Sequence, residues 1–179
     1  LLTDQGADAV ELATIEIAPL ESYAELDTAL DRLPDYQWLV LTSVNGVEAV
    51  FDRLQNRSMG ATKVAAVGTT TTAALTERGV TVDFMPETYT SAGIAEGFSK
   101  FPMTGARVLL ARADIAPDTL PKALASLGAS VEEVTAYRTL LPAGADGEAR
   151  RLLTSGTMDV ATFTSSSSVR NLVALLDGD

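Results

Sequence analysis

Four short stretches of this chain gather hydroxyl, amide and glycine residues: Thr42-Ser-Val-Asn-Gly46, Gly68-Thr-Thr-Thr-Thr72, Thr90-Ser-Ala-Gly93 and Thr164-Ser-Ser-Ser-Ser168. Each stands between an apolar run and a helix-like pattern. A helix start exposes backbone N–H groups without intrahelical partners and the positive end of the helix dipole, and hydroxyl side chains add donors. Such a junction suits a carboxylate or a phosphate. Ser, Thr and Asn are also ordinary helix caps, so one junction alone would mean only that a helix begins. Four along one chain favour a binding face. The candidate contacts are Thr42, Ser43 and Asn45, then Gly68, Thr69 and Thr71, then Ser91 and Gly93, and last Thr164, Ser165 and Ser166. Two further polar residues end strand-like runs. Arg112 either meets an anion or balances Asp114, and the sequence does not choose between them. Tyr137 closes its run beside Arg138-Thr139, where most tyrosines are half-buried packing with a wet hydroxyl.

Absences narrow the chemistry further. The chain has no Cys, which removes disulfides, thiolate nucleophiles and cysteine metal sites. It has no His, which removes the usual general base near neutral pH and the commonest metal ligand. Serine triads and HExxH hydrolases therefore have no place within it. Gly68-Thr-Thr-Thr-Thr72 fits neither GxGxxG nor a P-loop, and no cluster of acids marks a receiver domain; Asp114 and Asp159 stand alone as solvated or capping acids. With 13 basic against 24 acidic residues the net charge is −11, which excludes a phosphate-tracking nucleic-acid surface. The longest apolar runs, such as Trp38-Leu-Val-Leu41, are too short to span a bilayer, and no lipidation motif suggests a membrane partner. The balance of 46% apolar and 21% charged residues is that of a globular protein. No metal site and no cofactor are expected, and the cytoplasm is the expected compartment.

The elements that must position these residues alternate along the chain. Strand-like runs fall at 9–17, 37–42, 63–67, 80–85, 107–111, 130–137 and 160–164. Helix-like patterns fall at 23–33, 46–54, 70–78, 91–98, 119–127, 147–153 and 168–176, with apolar spacing such as Val47, Val50, Phe51 and Leu54. Alternation of this kind implies βαβ units and a mainly parallel sheet covered on both faces. In such sheets ligands bind at the carboxyl ends of the strands.

An internal repeat refines this picture. Thr42 pairs with Thr164, Ser43 with Ser165, Val47 with Val169 and Leu54 with Leu176, and Gly6-Ala7 pairs with Gly128-Ala129 at the same spacing. The offset implies two related units. Measured against each other, the first lacks a strand and most of a helix at its start, and the second lacks a counterpart to the segment beyond Leu54 in the first. The expectation is a chain truncated at both ends. It also predicts that residues 42–54 and 164–176 are each a strand end, a loop and a helix, lying in different lobes.

Taken together, these segments resemble the uroporphyrinogen-III synthases. Trp38-Leu-Val-Leu-Thr-Ser-Val-Asn-Gly-Val47 is similar to the family's hydrophobic-Thr-Ser-x-Asn-Gly-Val motif, and Lys63-Val-Ala-Ala-Val-Gly-Thr-Thr-Thr71 to its Val-Gly-x-x-Thr segment. Gly79-Val-Thr-Val-Asp-Phe-Met-Pro86, Tyr89-Thr-Ser-Ala-Gly93, Val134-Thr-Ala-Tyr-Arg-Thr139 and the stretch at 159–169 continue in the family's order. One departure stands out: Ala111-Arg112-Ala113 occupies the place where family members often carry Pro-Arg-Gly.

The resemblance implies two flavodoxin-like three-layer α/β/α domains with parallel sheets, joined by a two-stranded connector, with the active site in the cleft between them. Residues 19–138 would form one complete α/β domain, and 1–17 with 140–179 would be parts of a second, incomplete one. The implied reaction is the cofactor-free cyclisation of hydroxymethylbilane, with inversion of the terminal ring through a spiro intermediate and net loss of water. The implied partner is that polycarboxylate tetrapyrrole alone, bound by a monomer. Tyr137 and Thr71 match cleft positions of the family, and the Tyr137 phenol could donate a hydrogen bond to the departing hydroxyl. The competing reading is a non-catalytic, two-lobed sensor of an anionic metabolite.

Overall fold

A computed structural model describes residues 2–88, 90–143, 147–163 and 165–177. The chain divides into two compact units, Leu1–Ala18 with Thr139–Asp179, and Pro19–Arg138. Regular structure in the first begins with a single 3-10 turn at Thr3–Gln5 and the short strand β1 (Glu16–Ala18).

The unit Pro19–Arg138 carries α1 (Ala24–Asp31), β2 (Trp38–Leu41), α2 (Val44–Leu54), β3 (Lys63–Ala66), α3 (Thr69–Glu77), α4 (Ser91–Phe98), β4 (Arg107–Ala113), α5 (Thr119–Ser126) and most of β5 (Ser130–Leu140). Its strands lie in the order β5-β4-β2-β3, and each neighbouring pair is parallel. The alternation of the strands decides which helix lies where. Leu39 and Leu41 of β2, Val64 and Ala66 of β3, and Leu109 and Ala111 of β4 point to one face, and α1, α2 and α3 cover it with Leu26, Leu30, Val47, Val50 and Leu75. The residues between them, Trp38, Val40, Ala65, Val108 and Leu110, point to the other face, where α4 and α5 bring Ile94, Phe98, Leu120 and Leu124. All four residues of β2 are therefore buried, as expected of a central strand covered on both sides. The second face also holds an aromatic cluster: Trp38 meets Phe101 edge-on at 4.9 Å, and Phe84 meets Phe98 at 4.8 Å.

The other unit resumes after β5 with α6 (Gly147–Ser155) and α7 (Ser166–Asp177). None of its described residues is fully buried. All seven predicted helices are present, with ends shifted by a residue or two.

Three predicted strands differ. Residues 80–85 touch the sheet through one isolated parallel bridge, Ala65 to Phe84, and form no strand. The reason is Asp83, whose carboxylate accepts the Val64 amide at 2.8 Å and so takes a donor that a sixth strand would need. The run at 9–17 shrinks to β1, and residues 160–163 form no strand. A strand requires a neighbour for its backbone groups, and apolar composition alone does not supply one. Thr164 lies outside the described residues.

Candidate active site

Parallel pairing puts the ends of β2, β3 and β4 at one edge of the sheet, with Leu41 opposite both Ala66 and Ala111. The junction after β2 is a built helix start. Ser43 has an extended backbone, φ −155° and ψ 156°, and its Oγ accepts the Gly46 amide at 3.1 Å. Thr42 and Asn45 flank it, both half-buried.

Across β4 stands Tyr137. Register along β4 and β5 is regular from Arg107 opposite Ser130 to Arg112 opposite Thr135, and then Ala113 faces Tyr137. One extra residue, Ala136, has entered β5. Such a bulge re-aims the side chains beyond it, and bulges concentrate beside functional sites. Val134 and Ala136 already face the layer of α1, α2 and α3, so strict alternation would send Tyr137 to the opposite face. The bulge returns it to theirs. Tyr137 packs against that core, and its Oη lies 3.0 Å from Ser43 Oγ. Two candidates 94 positions apart are thus joined by one hydrogen bond. The signal was present in the sequence as a break in period, with apolar or aromatic residues at 134, 136 and 137.

The junction after β3 is of another kind. Gly68 has φ +102°, a conformation open mainly to glycine, and α3 begins after it with no capping side chain. Thr69 is exposed, whereas Thr71 is 2% exposed and buried as a whole residue, so it offers no open group at the edge. At α4 the Thr90 hydroxyl accepts the Gly93 amide at 3.1 Å. Gly93 has a structural reason of its own, because a Cβ there would come within 1.7 Å of the Thr88 hydroxyl. Ser91 opens that helix.

Arg112 is corrected. It is 7% exposed and turned away from solvent. Its Nε donates to Glu133 Oε2 at 2.9 Å, and its other nitrogens reach Glu133 and the Pro117 carbonyl. A guanidinium fully engaged by a carboxylate and a carbonyl locks β4, β5 and the approach to α5, and has no free fork for a ligand. In the other unit Ser165 Oγ accepts the Ser168 amide at 3.2 Å, and Ser166 begins α7.

A cleft of about 510 Å³ opens beside this edge, lined among others by Glu21, Ser22, Asp114, Thr135 and Arg138. Its wall continues into the tyrosine strand, because the Asp114 amide donates to the Tyr137 carbonyl at 3.2 Å. Three carboxylates, Glu21, Glu25 and Asp114, face one cation there, and Arg138 already reaches Glu21 at 3.4 Å. That charge balance repels anions. The adjoining edge presents hydroxyls and amides instead. At the opposite, amino edge, burial, together with a 2.6 Å hydrogen bond to Glu132, pushes the Tyr36 phenol up to about 12. The Tyr36 hydroxyl, with Arg32, holds the Glu132 carboxyl below its ordinary range. Among the described residues no three acids form a metal-holding group.

Known proteins of similar sequence bear on this geometry. The family model described as "Uroporphyrinogen-III synthase HemD" matches residues 1–179. A Synechococcus elongatus protein named "Uroporphyrinogen-III synthase" is 35% identical over 176 residues, covering 96% of this chain and 66% of that protein. The "Porphyrin biosynthesis protein HemD" of Ruminiclostridium josui is 31% identical over 178 residues, covering 97% of this chain and 35% of that protein. The chain thus spans just under two thirds of the first curated relative and about a third of the second. Among solved structures, a mutant uroporphyrinogen III synthase of Thermus thermophilus superposes with TM-score 0.65 at 20% identity, over 92% of this chain and 65% of that one. The Helicobacter pylori uroporphyrinogen-III synthetase gives 0.58 at 18% identity, over 93% and 70%. At such identities the structures speak to the α/β fold.

Proposed function

This chain belongs to the uroporphyrinogen-III synthase family, and on that premise we propose that the protein carrying it converts hydroxymethylbilane to uroporphyrinogen III. The substrate is a linear tetrapyrrole with acetate and propionate side chains. It loses hydroxide, and the resulting electrophile attacks the terminal pyrrole at its substituted carbon to give a spiro intermediate. Reopening and reclosure invert that ring. The proton released on closure and the departed hydroxide make up the water lost.

The chemistry asks for little from side chains beyond placement. Once hydroxide has left, the substrate supplies its own electrophile, so the protein must mainly hold the chain in the conformer that closes with inversion. Amides and hydroxyls at Thr42, Asn45, Gly68 and Thr69, around the Ser43 cap, suit substrate carboxylates, at about 1.5–3 kcal/mol for each charged hydrogen bond, and Ser91 and Gly93 are assigned with them by sequence. Ser165 and Ser166 offer the same chemistry from the other unit, and Thr164 is assigned with them by sequence. The net charge of −11 opposes a polyanion at long range. Screening beyond about 8 Å leaves the short-range donors to decide. The reading extends to architecture: two flavodoxin-like domains joined by a two-stranded connector, residues 19–138 in one and 1–17 with 140–179 in the other, acting as a monomer in the cytoplasm.

The observation that carries this reading is the Tyr137 hydroxyl, brought by the β5 bulge to 3.0 Å from Ser43 at the junction of the Thr-Ser-x-Asn-Gly-Val motif. There the phenol can donate to the departing hydroxyl. The test is turnover. Purified protein carrying this chain is given hydroxymethylbilane, and the product isomers are separated after oxidation. Type III product is expected, with the rate unchanged by EDTA. Type I alone, formed at the rate of the spontaneous reaction, would sink the proposal.

A further inference from the structure

We infer that Ser43 is a positioning residue: it donates its hydroxyl proton to Tyr137 Oη and thereby turns the phenol proton of Tyr137 outward, toward the substrate. The inference deepens the proposed function and rests on it. Its observations are the two hydrogen bonds that meet at one serine oxygen. Ser43 Oγ accepts the Gly46 amide at 3.1 Å and lies 3.0 Å from Tyr137 Oη. A serine hydroxyl has one proton to give and two lone pairs to accept with. Distance alone allows either oxygen to be the donor in the pair. Local electrostatics select one. Ser43 caps α2, so its oxygen sits at the positive end of that helix and already accepts an amide. Accepting a hydrogen bond polarises the O–H and makes it a stronger donor, as in any cooperative chain. The favoured chain therefore runs from the Gly46 N–H to Ser43 and from the Ser43 O–H to Tyr137.

The direction has a chemical consequence. Were Tyr137 the donor, its only proton would be spent inside the protein. With Ser43 as donor that proton stays available, and the phenol oxygen is held by the serine on one side and by core packing of its ring on the other. The β5 bulge then has a purpose beyond irregular geometry, because with Ala136 regularly paired the ring would stand on the opposite face, away from the serine. In this assignment Ser43 acts through Tyr137 and touches no substrate itself.

The experiment is a cycle of Ser43→Ala, Tyr137→Phe and the double variant in the full protein, with Ser43→Thr as the conservative control. The extended backbone at Ser43 is one that a β-branched residue adopts readily. Ser43→Ala is expected to lower kcat by about 10- to 100-fold with KM nearly unchanged, the scale on which loss of orientation acts. Ser43→Thr should recover most of the loss. The double variant should be no slower than Tyr137→Phe alone. A rise in KM at constant kcat would make Ser43 a substrate contact and overturn the inference, as would rate losses that multiply in the double variant. Melting temperatures read the pair without reference to turnover: destabilisations that add up exclude the hydrogen bond itself. A wild-type protein yielding only type I product would overturn the functional reading and the catalytic role of Ser43 with it, and non-additive melting temperatures would then make the pair purely structural.

Discussion

Two serines 122 positions apart begin two helices in the same way. Ser43 accepts the Gly46 amide at 3.1 Å and Ser165 accepts the Ser168 amide at 3.2 Å, one in each unit. The segments before them differ. Before Ser43 runs β2, buried on every residue and paired on both edges; before Ser165, residues 160–163 are exposed and unpaired, with Val160 at 72% and Phe163 at 42% exposure. The repeat therefore holds at the cap and the helix and fails at the strand. A cap is a contact between residues three apart and forms wherever the sequence writes it. A parallel strand depends on partners distant in sequence, and among the described residues the parallel pairs of β2 lie within Pro19–Arg138.

The largest expected contrast lies in the cores. Leu109 is fully buried in β4, and Leu109→Ala should cost about 2–5 kcal/mol, the range for emptying a close-packed site. Val173 on α7 is 51% exposed, and Val173→Ala should stay within about 0.5 kcal/mol. Denaturant unfolding monitored by tryptophan fluorescence suits the first, because Trp38 belongs to the same unit as Leu109, and far-ultraviolet dichroism reports on both. Equal costs at the two positions would remove the distinction between the units.

A second contrast concerns alkali. Tyr36 is 2% exposed and its phenol is pushed up to about 12, first by burial and then by the Glu132 hydrogen bond. A group that holds its proton more tightly when folded adds stability below its unfolded value near 10, and that stability drains away as pH rises toward 12. The amount is about 2–3 kcal/mol at most. Melting curves from pH 9 to 12 should show the wild type losing stability more steeply than Tyr36→Phe, which has no phenol to ionise. Parallel slopes would remove Tyr36 as the alkaline weak point of this unit.

Legibility in the sequence obeys the same division between local and distant. All seven helices, the capping role of Ser43 and the run Trp38-Leu-Val-Leu41 are visible as period, cap and composition. The segment at 80–85 reads as a strand but is none, because one acid, Asp83, diverts the Val64 amide, and no propensity scale encodes that. Arg112 reads either as an anion contact or as the partner of Asp114, and the structure pairs it with Glu133 instead, a partner identified only once β4 and β5 lie side by side. The meeting of Ser43 with Tyr137 needs the register of three strands and a one-residue bulge. Residue types could nominate both members, and only the fold could pair them.

The finest test returns to the two caps. Replacing an N-cap serine by alanine ordinarily costs about 0.5–2 kcal/mol, because a first-turn amide loses its acceptor. At Ser165 the exposed hydroxyl also lies 2.8 Å from those of Ser167 and Ser168, half-buried neighbours that remain beside the amide after substitution. Ser165→Ala should therefore fall at the low end of the range. At Ser43 the half-buried hydroxyl holds both the Gly46 amide and Tyr137, and the phenol would lose a partner that surrounding water replaces only in part. Ser43→Ala should fall at the high end, with a gap of about 1 kcal/mol between the two variants. Chemical denaturation of each variant against the wild type measures that gap, and Tyr137→Phe combined with Ser43→Ala should shrink it. If the gap is absent, the two junctions are the same device used twice, and the second hydrogen bond at Ser43 adds nothing to the stability of its unit.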